Sequence, residues 1–279
     1  MLLSIITINY NNAAGLRKTV ESVFAQTSHD FEYIVVDGAS TDGSVEYLET
    51  QNSKLKTQNY KLISEPDNGI YHAMNKGISM AKGEYVQFLN SGDWFVHERV
   101  VEYMLNALPV GCDIYVGNKV SIRGDGKIRI EKNNPVVSFL TFYRSTIQHT
   151  SAFIRKSLFD KYGMYDETLK IVSDWKWYLI VAGLNKAEVV FTNINVSYFD
   201  TTGISSTNLA LDKAERRKVL EELIPAPILA DYDKYYFDID QMERIKKYPV
   251  LYKLVWFIER CLFKLEKWQL KYCSWKIQK

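Results

Sequence analysis

The chain of 279 residues predicts an α/β fold built on a mostly parallel central sheet. Three observations predict it. Short apolar runs alternate four times with segments of helical periodicity, which implies crossover connections and therefore parallel pairing. Each run stops abruptly in polar residues, at Asn9-Tyr10-Asn11, Asp37-Gly38, Glu65-Pro66-Asp67 and Asn90-Ser91-Gly92-Asp93. The composition, 47% hydrophobic and 24% charged, is that of an ordinary globular chain, and its length suits one large domain plus an appendage. Ligands of parallel sheets bind at the carboxyl ends of the strands. The four polar clusters are therefore expected to meet on one edge.

The elements follow in order. Residues 2–8 are an apolar run interrupted only by Ser4 and Thr7 and read as a buried strand. Leu16, Val20, Val23 and Phe24 recur at helical spacing over about residues 13–26. A second buried strand covers 31–36, a helix 44–51 and a third strand 60–64. Ile70, Met74 and Ile78 share a helical face with Ala73, Gly77 and Ala81. Residues 85–89 form the fourth strand and 98–108 a helix. Beyond 110 the pattern changes. Residues 113–122 and 127–130, joined by Arg123-Gly124-Asp125-Gly126, read as a hairpin with an Asp-Gly turn. Strands are expected at 150–154 and 188–198, and a helix at 172–181. The chain is helical from about 208, with a break at Pro225 and Pro227.

The net charge of +2 conceals an asymmetry. Residues 241–279 hold ten Lys and Arg against three Glu, which is +7 and leaves −5 on residues 1–240. The three cysteines, Cys112, Cys261 and Cys273, are far apart and form no CxxC pair, which argues against zinc and a disulfide framework and for a reduced, cytoplasmic setting. The start, Met1-Leu2-Leu3-Ser4, has no basic n-region, so no signal peptide is expected. No uncharged apolar stretch reaches 18 residues, so no membrane span is expected either.

Chemistry concentrates in five segments. In Leu89-Asn90-Ser91-Gly92-Asp93 a carboxylate follows a strand beside a flexible glycine, an arrangement that reaches a hard cation or simply makes a turn. In Asp37-Gly38-Ala39-Ser40-Thr41-Asp42-Gly43-Ser44, Asp37 is placed to accept hydrogen bonds from a base or ribose, and Asp42 to cap the next helix. In Asp67-Asn68-Gly69-Ile70-Tyr71-His72 a helix opens toward the strand ends, which suits a diphosphate, and His72 reads as a partly exposed helix residue. Ser173-Asp174-Trp175-Lys176-Trp177 starts a helix with an acid among aromatics; Trp175 and Trp177, two apart, point to different helix faces, so at most one lines a site. Gln148-His149-Thr150 precedes a strand, with His149 either a contact or a structural residue.

Taken in this order and spacing, these segments resemble the family 2 inverting glycosyltransferases of the GT-A fold, nearest to the bacterial non-processive enzymes of capsule, O-antigen and exopolysaccharide assembly. The resemblance covers residues 1–206, most specifically 1–95. It implies a glycosyltransferase domain over 1–206, with a nucleotide-binding half (1–110) and an acceptor half (111–206), followed by a helical extension over 207–279. It implies that Thr7, Asn9 and Asp37 hold the base and ribose of a nucleotide-sugar donor, with a UDP-sugar the expected one, and that Asp67 and Gly69 continue that pocket. Asn90 and Asp93 match the family's acidic metal motif with Asn in place of the first acid, which leaves Asp93 as the carboxylate for Mn²⁺ or Mg²⁺. His72 stands where relatives often carry Asp. The Asp174 segment resembles the catalytic-base segment, and its single acid makes Asp174 the base that deprotonates a hydroxyl of a glycan or lipid-linked acceptor. His149 lies in a segment like the family's QHxxxF and is expected near the diphosphate or acceptor, with Trp175 a candidate sugar platform. Gly203-Ile204-Ser205-Ser206 resembles the segment that covers the donor. The Gln-x-x-Arg-Trp motif of the polysaccharide synthases is absent, so one sugar per acceptor is expected.

In the tail, Leu251, Leu254, Ile258, Cys261, Leu265, Trp268, Tyr272 and Trp275 follow alternating steps of three and four. An amphipathic helix on an anionic membrane, packing on the catalytic domain, and pairing in a homodimer all suit that stripe. Nucleic acid is not expected, because no groove-reading motif accompanies the charge. Two rival functions stand beside the transferase: a nucleotidyltransferase, which needs a Gly-rich basic loop where this chain has Asn9-Tyr10-Asn11-Asn12-Ala13-Ala14-Gly15, and a non-catalytic sugar-nucleotide or glycan-binding module, against which the acids Asp93 and Asp174 speak.

Overall fold

The computed structural model describes residues 2–54, 59–122, 127–131, 136–200 and 207–277. It divides into two compact units, Met1–Arg216 and Arg217–Lys279. The first unit is built on a mixed sheet flanked by helices.

Four parallel strands form half of this sheet: β1 (Leu3–Asn9), β2 (Phe31–Asp37), β3 (Tyr60–Ser64) and β4 (Tyr85–Phe88), in the order β3-β2-β1-β4. Every residue of β1, β2 and β4 is buried, so apolar residues predominate on both faces without alternation, and the polar exceptions are hydrogen-bonded, Ser4 to Glu32, Thr7 to the Leu89 carbonyl and Gln87 to the Thr150 carbonyl. The chain moves outward from β1 through β2 to β3 and then returns to the far side of β1 as β4. The order of connection therefore reverses at β1/β4, the kind of switch point beside which α/β sheets form a ligand crevice. The intervening helices are α1 (Ala13–Phe24), α2 (Ser44–Lys54) and α3 (Ile70–Met80). α1 starts at Asn12, whose side chain accepts a hydrogen bond from the Gly15 N–H, and buries Leu16, Thr19, Val20 and Val23. Leu16, Val20 and Val23 join Leu3, Ile5, Tyr33 and Val35 in the core.

The sheet continues beyond β4 with mixed polarity. β5 (Trp94–Phe95) and α4 (Val100–Ala107) come first in the chain, then β6 (Ile114–Ile122) and β7 (Ile128–Glu131), which pair antiparallel as the hairpin expectation requires. The turn between them, residues 123–126, lies outside the described residues. α5 (Phe139–Arg144), a 3₁₀ turn (His149–Ser151), β8 (Ala152–Arg155), α6 (Ser157–Tyr162), α7 (Ser173–Tyr178) and β9 (Val189–Asp200) complete the unit. β8 is antiparallel to both β4 and β6, and β9 runs parallel to β6.

Several expectations change in detail. The strand expected at 150–154 opens as a 3₁₀ turn, and the helix expected at 172–181 gives way to a π-helical turn at Leu179–Leu184, where the Phe142 ring packs against Gly183. The elements α5, α6 and β5 carried no readable signal, because six-residue helices and a two-residue strand are shorter than the periods that reveal them.

α8 (Leu209–Leu223) carries the chain past the end of the first unit. The second unit continues with α9 (Ala226–Lys246), which begins after Pro225, and α10 (Pro249–Ile277). Among the described residues no helix is long and apolar enough to cross a membrane.

Candidate active site

Strand register brings the first polar clusters together. Asn9 stands opposite Asp37 across β1/β2, and Asp37 opposite Ser64 across β2/β3. The Asp37 carboxylate is fully buried and accepts four hydrogen bonds: Asn9 Nδ2 (2.8 Å) and Ser40 Oγ (2.6 Å) at Oδ1, the Ser40 backbone N–H (2.9 Å) and Ser64 Oγ (2.8 Å) at Oδ2. Those donors replace the water that burial removes. Asn9 Oδ1 is buried in the same cluster and accepts nothing. Asn11 and Ala39 hold left-handed backbone (φ 47° and 59°), which costs about 1 kcal/mol each in a non-glycine residue. Bonds between the two loops hold them there: Asn11 N–H to Ser40 Oγ (2.8 Å), Thr41 N–H to Asn11 Oδ1 (2.9 Å) and Ala13 N–H to Asp42 (2.8 Å). Asp42 also accepts from the Ser44 hydroxyl (2.6 Å), which holds its carboxyl below the ordinary range, and from the Ser44 backbone N–H (3.2 Å) where α2 begins.

Gly38 lies in a slot. A Cβ there would stand 2.7 Å from Asp67 Oδ2 and 3.1 Å from the exposed Tyr10 ring. Asp67 Oδ1 is held by the Gly69 N–H (2.9 Å), and Gly69 itself has φ 124°, a conformation glycine adopts without penalty. Thr7 sits beneath this edge, fully buried. Its hydroxyl donates to the Leu89 carbonyl (2.7 Å) and accepts from Tyr33 (2.9 Å), so Thr7 ties β1 to β4 from below.

The loop after β4 is stapled to α1. Thr19 Oγ1 accepts from the Gly92 N–H (3.0 Å) and donates to the Asp93 carbonyl (2.7 Å), while Asn12 Nδ2 reaches the Ser91 carbonyl (3.1 Å). The loop so held presents two oxygen-bearing side chains, Asn90 and the buried Asp93. Asn90 Oδ1 is buried without a hydrogen-bond donor. Among the described residues no group of three or more His, Cys, Asp and Glu is placed to hold a metal.

A cleft of about 260 Å³ opens beside this loop, lined by Asn90, Tyr71, His149 and Asp174 with Lys119, Lys170 and Arg216 around them. Asp174 lies in the first turn of α7. Its Oδ1 accepts from the Tyr71 hydroxyl (2.9 Å), which also lies 2.5 Å from the Ile171 carbonyl, and its Oδ2 is 3.1 Å from His149 Nδ1. Burial pushes the Asp174 carboxyl up, but His149, Tyr71 and the Trp175 N–H more than offset it, and the net shift is downward. Burial, then the Asp174 charge, raise the Tyr71 phenol far above neutrality, so it stays a proton donor. His149 Nε2 is buried and unbonded.

The segment bearing Asp174 is anchored from two sides. Glu215 on α8 accepts the backbone N–H groups of Lys170 (2.8 Å), Ile171 (3.0 Å) and Val172 (3.3 Å). Asn75 on α3 pairs with both the N–H (3.0 Å) and carbonyl (2.9 Å) of Tyr165.

Residues 4–168 match the Glycosyl transferase family 2 profile, more than half of the chain. The chain belongs to glycosyl transferase family 2. As a family 2 glycosyltransferase it has curated relatives in mycobacteria. An uncharacterized glycosyltransferase of Mycobacterium tuberculosis is 36% identical over 215 residues, 73% of this chain and 77% of that protein. A PGL/p-HBAD biosynthesis glycosyltransferase of Mycobacterium bovis is 29% identical over 184 residues, 62% of this chain and 67% of its own length. Among solved structures, S. aureus TarS 1-349 in complex with UDP-GlcNAc superposes with a TM-score of 0.65 at 22% identity, over 79% of this chain and 64% of that one. Against a longer TarS structure the chain spans 43% of the length. A mannosyltransferase of Pyrobaculum calidifontis, in complex with GDP-Man and Mn²⁺, has a TM-score of 0.57 at 15% identity, over 77% and 61% of the two chains.

Of the residues singled out by sequence, Asn9, Asp37, Asp67 and Gly69 fall together on the strand edge, and Asn90, His149 and Asp174 share the cleft. Asp93 sits at the loop beneath, outside the cleft lining. Trp175 is buried, donates to the Phe142 carbonyl (2.9 Å) and has Arg216 stacked on its ring at 4.7 Å, so it forms the back wall and no open platform. Trp177 is core, stacked on Phe159. His72 accepts the Asn68 N–H (3.1 Å) at the start of α3. Gly203 to Ser206 lie outside the described residues. Sequence reasoning missed Tyr71, Thr19, Asn75 and Glu215. Only Tyr71 left a trace, one residue from the helix start.

Proposed function

We propose that the chain transfers a sugar from a nucleoside diphosphate sugar, a UDP-sugar, to a hydroxyl of a glycan or lipid-linked acceptor, with inversion at the anomeric carbon. The observation that carries this reading is the buried Asp174 carboxylate, fixed by Tyr71 and His149 in a cleft that also holds Asn90 of the strand-end loop. Neighbours of the same fold bound to UDP-GlcNAc, or to GDP-Man and Mn²⁺, support the donor class and the metal.

The base and ribose lie between Tyr10 and Asp67 over Gly38, with Asn9 Oδ1 free to accept a donor hydrogen. A divalent cation fits the loop after β4: Asn90 Oδ1 is an unused buried oxygen and Asp93 a nearby carboxylate, a two-ligand set of the kind that Mg²⁺ and Mn²⁺ complete with substrate phosphates and water. Bound there, the ion would neutralise charge on the departing diphosphate. The acceptor hydroxyl attacks the anomeric carbon opposite the leaving oxygen. The new carbon–oxygen bond forms as the bond to the diphosphate breaks, and the hydroxyl proton passes to Asp174. Tyr71 and His149 hold the carboxylate in one orientation, which lowers the reorganisation needed at that moment.

The test is calorimetric titration of UDP with and without Mn²⁺, on the wild type and Asp93→Ala, followed by sugar transfer with Asp174→Asn. Manganese-enhanced binding that Asp93→Ala abolishes, and turnover lower by about 10²–10⁴-fold in Asp174→Asn, are expected. Full turnover in Asp174→Asn would remove Asp174 as the base.

A further inference from the structure

The second unit carries a surface that the transfer chemistry does not use. α10 is 29 residues long, about 43 Å at 1.5 Å per residue. On it Leu251, Leu254, Phe257, Ile258, Leu265 and Trp268 lie within one face at helical spacing, and each is between 45% and 64% exposed. A soluble surface helix ordinarily turns such a face inward. Lys253, Arg260, Lys264 and Lys267, separated by steps of seven, four and three, form a cationic stripe along one flank of that face. Trp256 and Phe263, both more than half exposed, border the stripe on its other side. Over residues 241–279 the charge is +7.

We infer that α10 lies in the plane of an anionic lipid surface. The apolar face enters the headgroup boundary, the lysines and arginine on its flank meet lipid phosphates, and Trp268, at the edge of that face beside the cations, sits at the interface, where amphipathic aromatic rings are most stable. The helix does not span: among the described residues none is apolar enough to cross a membrane. Charge selects this occupant over a second copy. In a helix pair the same excess of cations would face itself, with only Glu259 and Glu266 on α10 to answer it. A lipid surface rich in phosphate supplies the missing anions.

The experiment is co-sedimentation of the full chain with vesicles of phosphatidylcholine alone or with about a third phosphatidylglycerol, across a salt series. Binding to the anionic vesicles, weakening with salt, and little binding to the neutral ones are expected. Lys253→Gln/Arg260→Gln/Lys264→Gln should weaken it by about a hundredfold, since each cation near the surface contributes about fivefold. Phe257→Ser/Trp268→Ser should also weaken it, with UDP affinity unchanged in both variants and helix content checked by circular dichroism. Failure here with intact UDP binding would leave the transferase reading untouched. Equal binding to both vesicles, no binding to either, or a stable dimer that Phe257→Ser dissociates would overturn the membrane assignment.

Discussion

Tyr71→Phe isolates one hydroxyl at the centre of the cleft. The phenol is almost fully buried, and its oxygen lies 2.5 Å from the Ile171 carbonyl and 2.9 Å from Asp174 Oδ1. Phenylalanine keeps the ring and its packing against Tyr165, so no cavity of consequence opens. What is lost is a single O–H donor shared between the Ile171 carbonyl and a charged, largely buried carboxylate, and hydrogen bonds to charged groups contribute about 1.5–3 kcal/mol. A destabilisation of about 2 kcal/mol corresponds to a fall in Tm of roughly 4–8 °C for a chain of this size. The same change acts on protonation. Tyr71 favours the charged carboxylate, so its removal raises the Asp174 pKa, and the acid limb of the pH profile of kcat/KM moves to higher pH. His149 still holds the second oxygen, so turnover at pH 7 should fall by about tenfold and not to zero. Differential scanning calorimetry and a pH–rate series read the two effects separately. A variant with an unchanged Tm and an unmoved acid limb would show that the Tyr71–Asp174 bond does not orient the base.

Two further substitutions test other parts of the argument. Gly38→Ala places a methyl group 2.7 Å from Asp67 Oδ2 and 3.1 Å from Tyr10. UDP affinity in calorimetry should drop by about tenfold or more, a change of at least ~1.4 kcal/mol, with little change in Tm, because both neighbours are side chains that give way in the free protein. The third concerns pH. Asp166 accepts from Thr168 and from Lys176 Nζ (2.9 Å), and against the upward push of burial these contacts hold its carboxyl at about 2. Its folded value lies below its unfolded one, so it stabilises the fold above about pH 4 and that contribution disappears as pH falls through about 2. Asp166→Asn should therefore cost about 2 kcal/mol in urea unfolding at pH 7 and progressively less in acid, where an equal cost at pH 7 and pH 2.5 would contradict the linkage.

The parallel half of the fold was legible because its physics is local. A strand buried on both faces is predominantly apolar without alternation, and β1, β2 and β4 are read that way despite hydrogen-bonded exceptions such as Ser4, Glu32 and Gln87. Strands that end in polar residues at parallel carboxyl ends must place those residues on one edge, and Asn9, Asp37 and Ser64 do stand in register. The same locality made the LNSGD and SDW segments recognisable. The mixed half was less legible. β8 inserts between β4 and β6, strands far apart in sequence, and the short elements α5, α6 and β5 are set by contacts and not by their own periodicity.

By itself, then, the sequence determined the family, the strand-end edge and the acids on it, because apolar runs, turn residues and motif spacing are properties of neighbouring residues. Only the tertiary structure decided what surrounds those acids. Tyr71 reaches Asp174 across 103 positions, Thr19 reaches the Asp93 loop across 74, and Glu215 holds the backbone before α7 from 43 to 45 residues away. It also decided that Trp175 is walled in by Arg216 and that the apolar face of α10 stays uncovered. A hydrogen bond between distant residues leaves no periodic trace along the chain, since either partner alone is an ordinary tyrosine, threonine or glutamate until folding brings the other within 3 Å.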